Sequence, residues 1–208
     1  MPESQLILVR HGETTGESRI RLNGATDVAL SEHGRAQMRA ARDRLSDTQV
    51  ALAVSSPLRR SHESAVIIRA TKPHDIQVVD GFREIDFGQW ETWTFAEVAE
   101  RDPDGYRRYQ NAVDEFQFPG GDSRSAFRQR VKEASIQTFD TARGITIAAL
   151  HKGIIKVVTA ALLRAHPSEY AHQPCDLGSF TILEREGGKW HLKSINDVSH
   201  LGILHLSD

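Results

Sequence analysis

The chain has 208 residues, with 26 Lys plus Arg against 28 Asp plus Glu, a formal charge of −2 at pH 7. Hydrophobic residues make up 39% and charged residues 26%, which excludes collagen-like, low-complexity and disordered classes. The near-neutral charge and the lack of long basic runs argue against a nucleic-acid binder, and no apolar run approaches the ~20 residues that span a bilayer.

A single domain over residues 1–208 is expected, with one core large enough to need no staples. The opening MPESQLILVRHGE has no basic leader and only a short apolar run, so a cytoplasmic address is expected rather than secretion. Cys175 is the only cysteine, which excludes an internal disulfide and agrees with a reducing compartment. No activating motif surrounds it, so it reads as an inert thiol.

In chain order, residues 6–9 (LILV) read as a buried strand that stops at a charged turn containing Gly12. Residues 31–45 read as a helix with Ser31 as N-cap and a stripe of small apolar residues. Residues 50–54 form the next buried strand. Ser56 and Pro57 then read as N-cap and first helical residue of a helix to about residue 70. Residues 76–79 form a third strand. The stretch 80–122 changes texture, with Phe, Trp and Tyr among Gly and Pro, and reads as a cap inserted over one end of the sheet. Within it Thr94 and Glu97 fit a capping box. A long helix is expected over 123–142, ended by Gly144, then a strand over 145–150 and a helix over 153–164. Residues 180–185 and 190–195 flank the turn-forming EGGK and read as a hairpin.

Strands alternating with helices indicate an α/β three-layer sandwich, a mostly parallel sheet with helices on both faces. Ligands in such folds sit beyond the carboxyl ends of the strands. There the chain places Arg10-His11-Gly12-Glu13 after its first strand, Ser55-Ser56 after its second, Glu84 after its third and His151 after its fourth.

The segment Arg10-His11-Gly12-Glu13-Thr14 resembles the signature of the histidine phosphatase superfamily, the phosphoglycerate-mutase-like family. The resemblance runs along most of the chain. It takes in Arg21, Gly24, Asp27, Leu30-Ser31 and Gly34, the run from Ser55 to Ser61 with Arg60 at the arginine position, and the run from Phe82 to Glu91 with Glu84 as the acid. It continues through Pro119-Gly120-Gly121-Asp122-Ser123 and Leu150-His151-Lys152-Gly153. The resemblance implies a phosphoglycerate-mutase-like fold and a metal-free, cofactor-free site for a small phosphorylated metabolite.

These residue types suit that chemistry. Arg10 and Arg60 supply permanent cations for a phosphate dianion. His11, as neutral imidazole, attacks phosphorus and splits one hard displacement into two easier ones. His151 donates to the equatorial oxygens as charge spreads over them. Glu84 protonates the leaving alkoxide and then activates water; burial and a nearby phosphate would raise its pKa. Asn23, Gly24 and Lys152 are further substrate-binding candidates. Asp86 and Glu91 in the same loop are rivals for the acid role, and the choice of Glu84 rests on the resemblance. Relatives often carry Asn where this chain has Glu17, and a carboxylate there would repel phosphate, so Glu17 is not assigned.

The family holds phosphatases and mutases. Mutases grip a second acidic group with an Arg-Arg pair, and this chain has Arg107-Arg108, but on a short insertion. The overall pattern resembles the broad-specificity and α-ribazole phosphatases. A phosphatase of small phosphomonoesters, acting as monomer or homodimer, is the expectation. The alternatives are a bisphosphoglycerate-dependent phosphoglycerate mutase and a non-catalytic module that binds phosphorylated ligands.

Overall fold

The apolar run at residues 6–9 lies inside β1 (Ser4–Arg10), an interior strand of a six-stranded sheet. The computed structural model describes residues 3–17, 19–70, 75–111 and 115–206. Residues 1–2, 18, 71–74 and 207–208 of the expected domain, and 112–114 of the expected cap, lie outside them. The other strands are β2 (Val50–Ser55), β3 (Gln77–Val78), β4 (Gly144–Leu150), β5 (Phe180–Glu186) and β6 (Lys189–Asp197). Their order is β3-β2-β4-β1-β5-β6. The first four strands run parallel; β5 lies antiparallel to β1, and β6 to β5. The sheet is mostly parallel, as expected, with the hairpin as its antiparallel edge.

The helices are α1 (Glu32–Arg44), α2 (Arg59–Arg69), α3 (Phe95–Arg101), α4 (Pro103–Asn111), α5 (Arg124–Phe139), α6 (Lys152–Leu163) and the short α7 (Ser168–Ala171). Side chains of a strand alternate between faces. Ile7 and Val9 join Ile147 and Ala149 under Met38 and Ala41 of α1 and Ala65 and Ile68 of α2. Leu6 and Leu8 join Ala148 and Leu150 under Val131 and Phe139 of α5 and Ile154 and Val158 of α6. Both faces are buried, which is why β1 and β4 are apolar runs rather than alternating ones. Leu8 is fully buried, and truncating it to Ala would cost roughly 2–5 kcal/mol.

Ser31 caps α1 by accepting from the Gly34 N–H, and Thr94 and Glu97 form the expected capping box of α3. Two helix ends differ from expectation by two residues or more. Helix α2 starts at Arg59, not Pro57, and its N-cap Leu58 has no capping side chain. Asp27, 32 residues upstream, instead accepts from the Arg59 N–H at 2.7 Å and sets a carboxylate at that positive helix end. Helix α5 ends at Phe139, before residue 142. The Asp140 and Ala142 carbonyls are taken by Arg185 and Ser4, and Gly144 opens β4 at φ +70° rather than closing the helix.

In the 80–122 stretch, Trp90 packs on Tyr109, Phe116 and Phe118 with ring centroids 5.3–5.8 Å apart. Trp90, Val98, Phe116 and Phe118 belong to the same apolar cluster as Leu6, Leu8 and α6, so these described residues share the core under the sheet. Among the described residues no helix is long and apolar enough to cross a membrane.

Candidate active site

Strands β1 and β4 are neighbours in register, with Arg10 opposite Leu150. The next residues, His11 and His151, therefore leave the sheet side by side. The His11 N–H donates to the Leu150 carbonyl at 2.9 Å, and the two rings lie 5.2 Å apart, edge to face. The loop after His11 runs tight against α1. A Cβ on Gly12 would come within 2.4 Å of the Gly34 carbonyl oxygen, and one on Gly34 within 2.0 Å of that of Glu13. Only glycine fits at either position, which explains both motif glycines.

Hydrogen bonds set the tautomer of each imidazole. His11 Nδ1 lies 2.8 Å from the Gly12 carbonyl. A carbonyl can only accept, so Nδ1 carries the proton and Nε2 keeps its lone pair. At His151 the pattern reverses. Arg60 Nε donates to Nδ1 at 3.2 Å, so Nε2 carries the proton, and it donates to the Ser56 hydroxyl at 2.6 Å. One histidine thus presents a nucleophile and the other a donor. Burial, first, and then Arg60 push both pKa values well below the ordinary imidazole value; Arg10 and, for His151, the neighbouring His11 add to this. Both rings are therefore neutral near pH 7.

Arg60 is 1% exposed. Its guanidinium donates to the Thr26, Asn23 and Gly24 carbonyls at 2.7–3.0 Å as well as to His151. Four of its five N–H donors are committed to the protein, so it is a buried charge that orients His151 rather than an open two-pronged clamp. Glu91 holds the acceptor loop, taking the N–H groups of Gly24, Ala25, Thr26 and Phe87. Arg10 Nη1 donates to the Cys175 carbonyl at 2.6 Å. Cys175 itself is buried, which raises its thiol pKa and keeps it inert.

Glu84 follows a 3-10 turn at Asp80–Phe82 and is 8% exposed. Its two oxygens accept from Ile85 N at 2.9 Å and Gly153 N at 3.0 Å. Burial raises its pKa; these N–H groups, Arg60 and Arg10 pull the other way, and burial prevails. The rival carboxylates are occupied: Glu91 as above, and Asp86 in accepting from Gly88 N within its own turn.

Arg10, His11, Arg60, Glu84 and His151 line one cavity of about 470 Å³, together with Asn23 and Lys152. Among the described residues Asn23 Nδ2 is buried with no partner, a donor left for a ligand oxygen. Gly24, expected at the substrate, is not on this lining. Its carbonyl accepts from Arg60, and a Cβ there would meet the Ile85 carbonyl oxygen at 1.9 Å, so it positions the arginine instead. Glu17 is exposed at φ +61° and pairs with Arg21. Arg107 is solvent-exposed and pairs with Asp104 on α4; neither it nor Arg108 reaches the cavity. A larger groove of about 840 Å³ runs between α5, α6 and the hairpin tip and carries none of the five groups. Sequence reasoning misses the task of Ser56, which reads as a helix cap, and the cations Arg124, Arg128 and Lys156 of the cavity wall. The signal that marks those cations is their i,i+4 spacing on α5 and α6.

Residues 6–198 match the model of the histidine phosphatase superfamily (branch 1), and the chain belongs to that family. It is 32% identical over 201 residues to a bifunctional protein of Mycobacterium tuberculosis, covering 95% of this chain and 55% of that one. The chain spans about half the length of the first curated relatives it matches. It is 29% identical over 203 residues to a metal-independent phosphoserine phosphatase of Arabidopsis thaliana, covering 95% of this chain and 83% of the relative. The solved structure of Bacillus stearothermophilus YhfR superposes with a TM-score of 0.84 at 29% identity, over 95% and 99% of the two chains. Family and fold are those the motifs implied.

Proposed function

We propose that the protein hydrolyses small phosphomonoesters through a phosphohistidine on His11, without a metal or cofactor. His11 Nε2 attacks phosphorus, the ester P–O bond breaks, and the Glu84 carboxyl gives its proton to the departing alkoxide. Water then attacks phosphorus, the P–N bond breaks, Glu84 takes the water proton, and His11 returns neutral. Arg10, Asn23 and the remaining Arg60 donor hold phosphoryl oxygens, and the His151 Nε2–H turns from Ser56 to the oxygens as their charge grows.

The observation that carries this reading is the opposed pair of tautomers at the strand ends, a lone pair on His11 beside a proton on His151. Hydrolysis is favoured over the mutase alternative because both members of the arginine pair tied to mutases are exposed to solvent. The partner is a small phosphorylated metabolite, not nucleic acid or membrane; the chain acts as monomer or homodimer in a reducing cytoplasm.

The test is rapid quench with labelled substrate in the presence of chelator. Label on the protein that survives alkali, is lost in acid and vanishes in His11→Asn is expected. Activity lost with chelator would contradict the metal-free mechanism. With 3-phosphoglycerate, free phosphate supports the phosphatase and 2-phosphoglycerate the mutase. Binding without any release would leave only the non-catalytic module.

A further inference from the structure

One loop grips Arg10. The Arg10 Nη1 donates to the Cys175 carbonyl at 2.6 Å and its main-chain N–H to the Ser179 carbonyl at 3.1 Å, while its own carbonyl accepts from the Gly178 N–H at 3.1 Å. Residues 175–179 thus hold both the main chain and the guanidinium of an arginine on the cavity lining. Asp176 lies inside that loop and is 8% exposed; its carbonyl accepts from the Ser179 N–H at 3.0 Å. A buried carboxylate costs stability unless it is hydrogen-bonded. Asn196, near the end of β6, meets Asp176 twice: its Oδ1 accepts from the Asp176 N–H at 2.6 Å, and its Nδ2 donates to Oδ2 at 3.1 Å. Asn196 does so at φ +53°, a backbone region that asparagine tolerates better than most residues. His205 Nε2 donates to the same Oδ2 at 2.8 Å.

His205 belongs to a segment after β6 that joins the chain on both sides of the Arg10-His11 pair. His200 Nε2 donates to the Gly178 carbonyl at 3.1 Å, and its ring stacks on Phe180. Leu201 is buried, and a Cβ on Gly178 would lie 3.3 Å from its methyl and 3.5 Å from Gln37 Cβ. The Leu204 carbonyl accepts from Gln37 Nε2 at 2.9 Å, and Gln37, fully buried on α1, takes the Glu13 N–H with its Oε1 at 2.9 Å. The segment therefore reaches the Arg10 loop at Asp176 and Gly178 and, through Gln37, the turn after His11. Asp176, Asn196 and His205 do not line the cavity, so any effect they have on the reaction passes through another group. Arg10 is the group that their loop holds.

We infer that Asp176 and His205 are positioning residues for phosphoryl transfer: His205 locks the Asp176 loop, and that loop aims the Arg10 guanidinium at the phosphoryl oxygens. The inference rests on the phosphatase reading and adds two residues to it that touch no substrate.

A double-mutant cycle tests it. His205→Ala and Asp176→Asn are made in the wild type and in Arg10→Lys. For each protein kcat/KM for p-nitrophenyl phosphate, competitive inhibition by inorganic phosphate and the melting temperature are measured, with the kinetics taken where every variant is folded. In the wild type both substitutions are expected to lower kcat/KM by about tenfold or more and to weaken inhibition by phosphate, because a small misplacement of a binding group is costly in the transition state. In Arg10→Lys the same substitutions should have little further effect, since the group they act through is already gone. A lower melting temperature with unchanged kcat/KM overturns the positioning role, and so do losses that multiply in full with that of Arg10→Lys. A wild type that turns over no p-nitrophenyl phosphate overturns the phosphatase reading instead.

Discussion

At the inner end of the cavity His11 and His151 project directly from adjacent parallel strands, and Glu84 and Arg60 are buried against them. His11, Glu84 and Arg60 are fixed by backbone partners, namely the Gly12 carbonyl, the Gly153 N–H, and the Asn23, Gly24 and Thr26 carbonyls, and His151 is fixed by the side chains of Arg60 and Ser56. The outer end, by contrast, is formed by half-buried side chains from two helix faces and the 80–122 stretch. The inner end has the rigidity that transfer chemistry requires, and the outer end has the longer, adaptable side chains that suit selection of a leaving group.

The sharpest break in this comparison is His11→Asn, which removes the nucleophile of the proposed mechanism. It should lower kcat on the order of 10⁴-fold on every ester, measured by phosphate release. Glu84→Gln should follow, at roughly 10²–10³-fold for an alkyl ester with a poor leaving group and much less for p-nitrophenyl phosphate. Its raised pKa places the proton donor's loss on the alkaline limb of the kcat/KM profile, and the variant should lack that limb for alkyl esters. Equal slowing of both leaving groups would remove Glu84 from the acid role.

Arg60→Lys keeps the charge but frees His151 Nδ1 and strands three carbonyls. A loss of about 10²-fold in kcat/KM is expected, with a lower melting temperature, because lysine cannot reproduce the planar donor set.

Stability should also report on the inner end. His11 and His151 have depressed pKa values, so the unfolded chain binds protons that the folded one refuses. Their contribution is complete above about pH 6.5 and falls as pH drops below it. Glu84, with a raised value, acts oppositely: its contribution is complete below its unfolded pKa and is lost as pH rises through the folded one. Where all three titrate, two protons oppose one, and denaturant titration should show a net slope of up to about 1.4 kcal/mol per pH unit, lost in His11→Asn. The smallest effect is expected at the outer end. Tyr109→Phe removes the hydroxyl that accepts from Arg124 and should change kcat/KM by no more than a few-fold.

Much of the inner end is legible in the chain, because strand-end motifs carry their geometry with them. Arg10, His11 and His151 stand at or just past the ends of apolar runs, and register alone brings the histidines together. Gly24 resists a sequence reading because its value is the space it leaves for the Ile85 carbonyl, a contact across the chain that no local pattern encodes. Ser56 resists it because its hydroxyl is used twice, accepting locally from the Leu58 N–H at 3.2 Å and at a distance from His151 Nε2 at 2.6 Å, and only the local use is visible in the chain.

By itself the sequence determined the order of chemistry along the chain, the doubly covered sheet and the identity of the family, since apolar runs, caps and motif spacing are local properties. Tertiary structure alone decided which nitrogen of each histidine bears its proton, how Arg60 spends its donors, and that α5 and α6 turn four cations into one cavity. Those outcomes depend on contacts between residues dozens of positions apart, where burial and acceptor geometry, not propensity, set the energy.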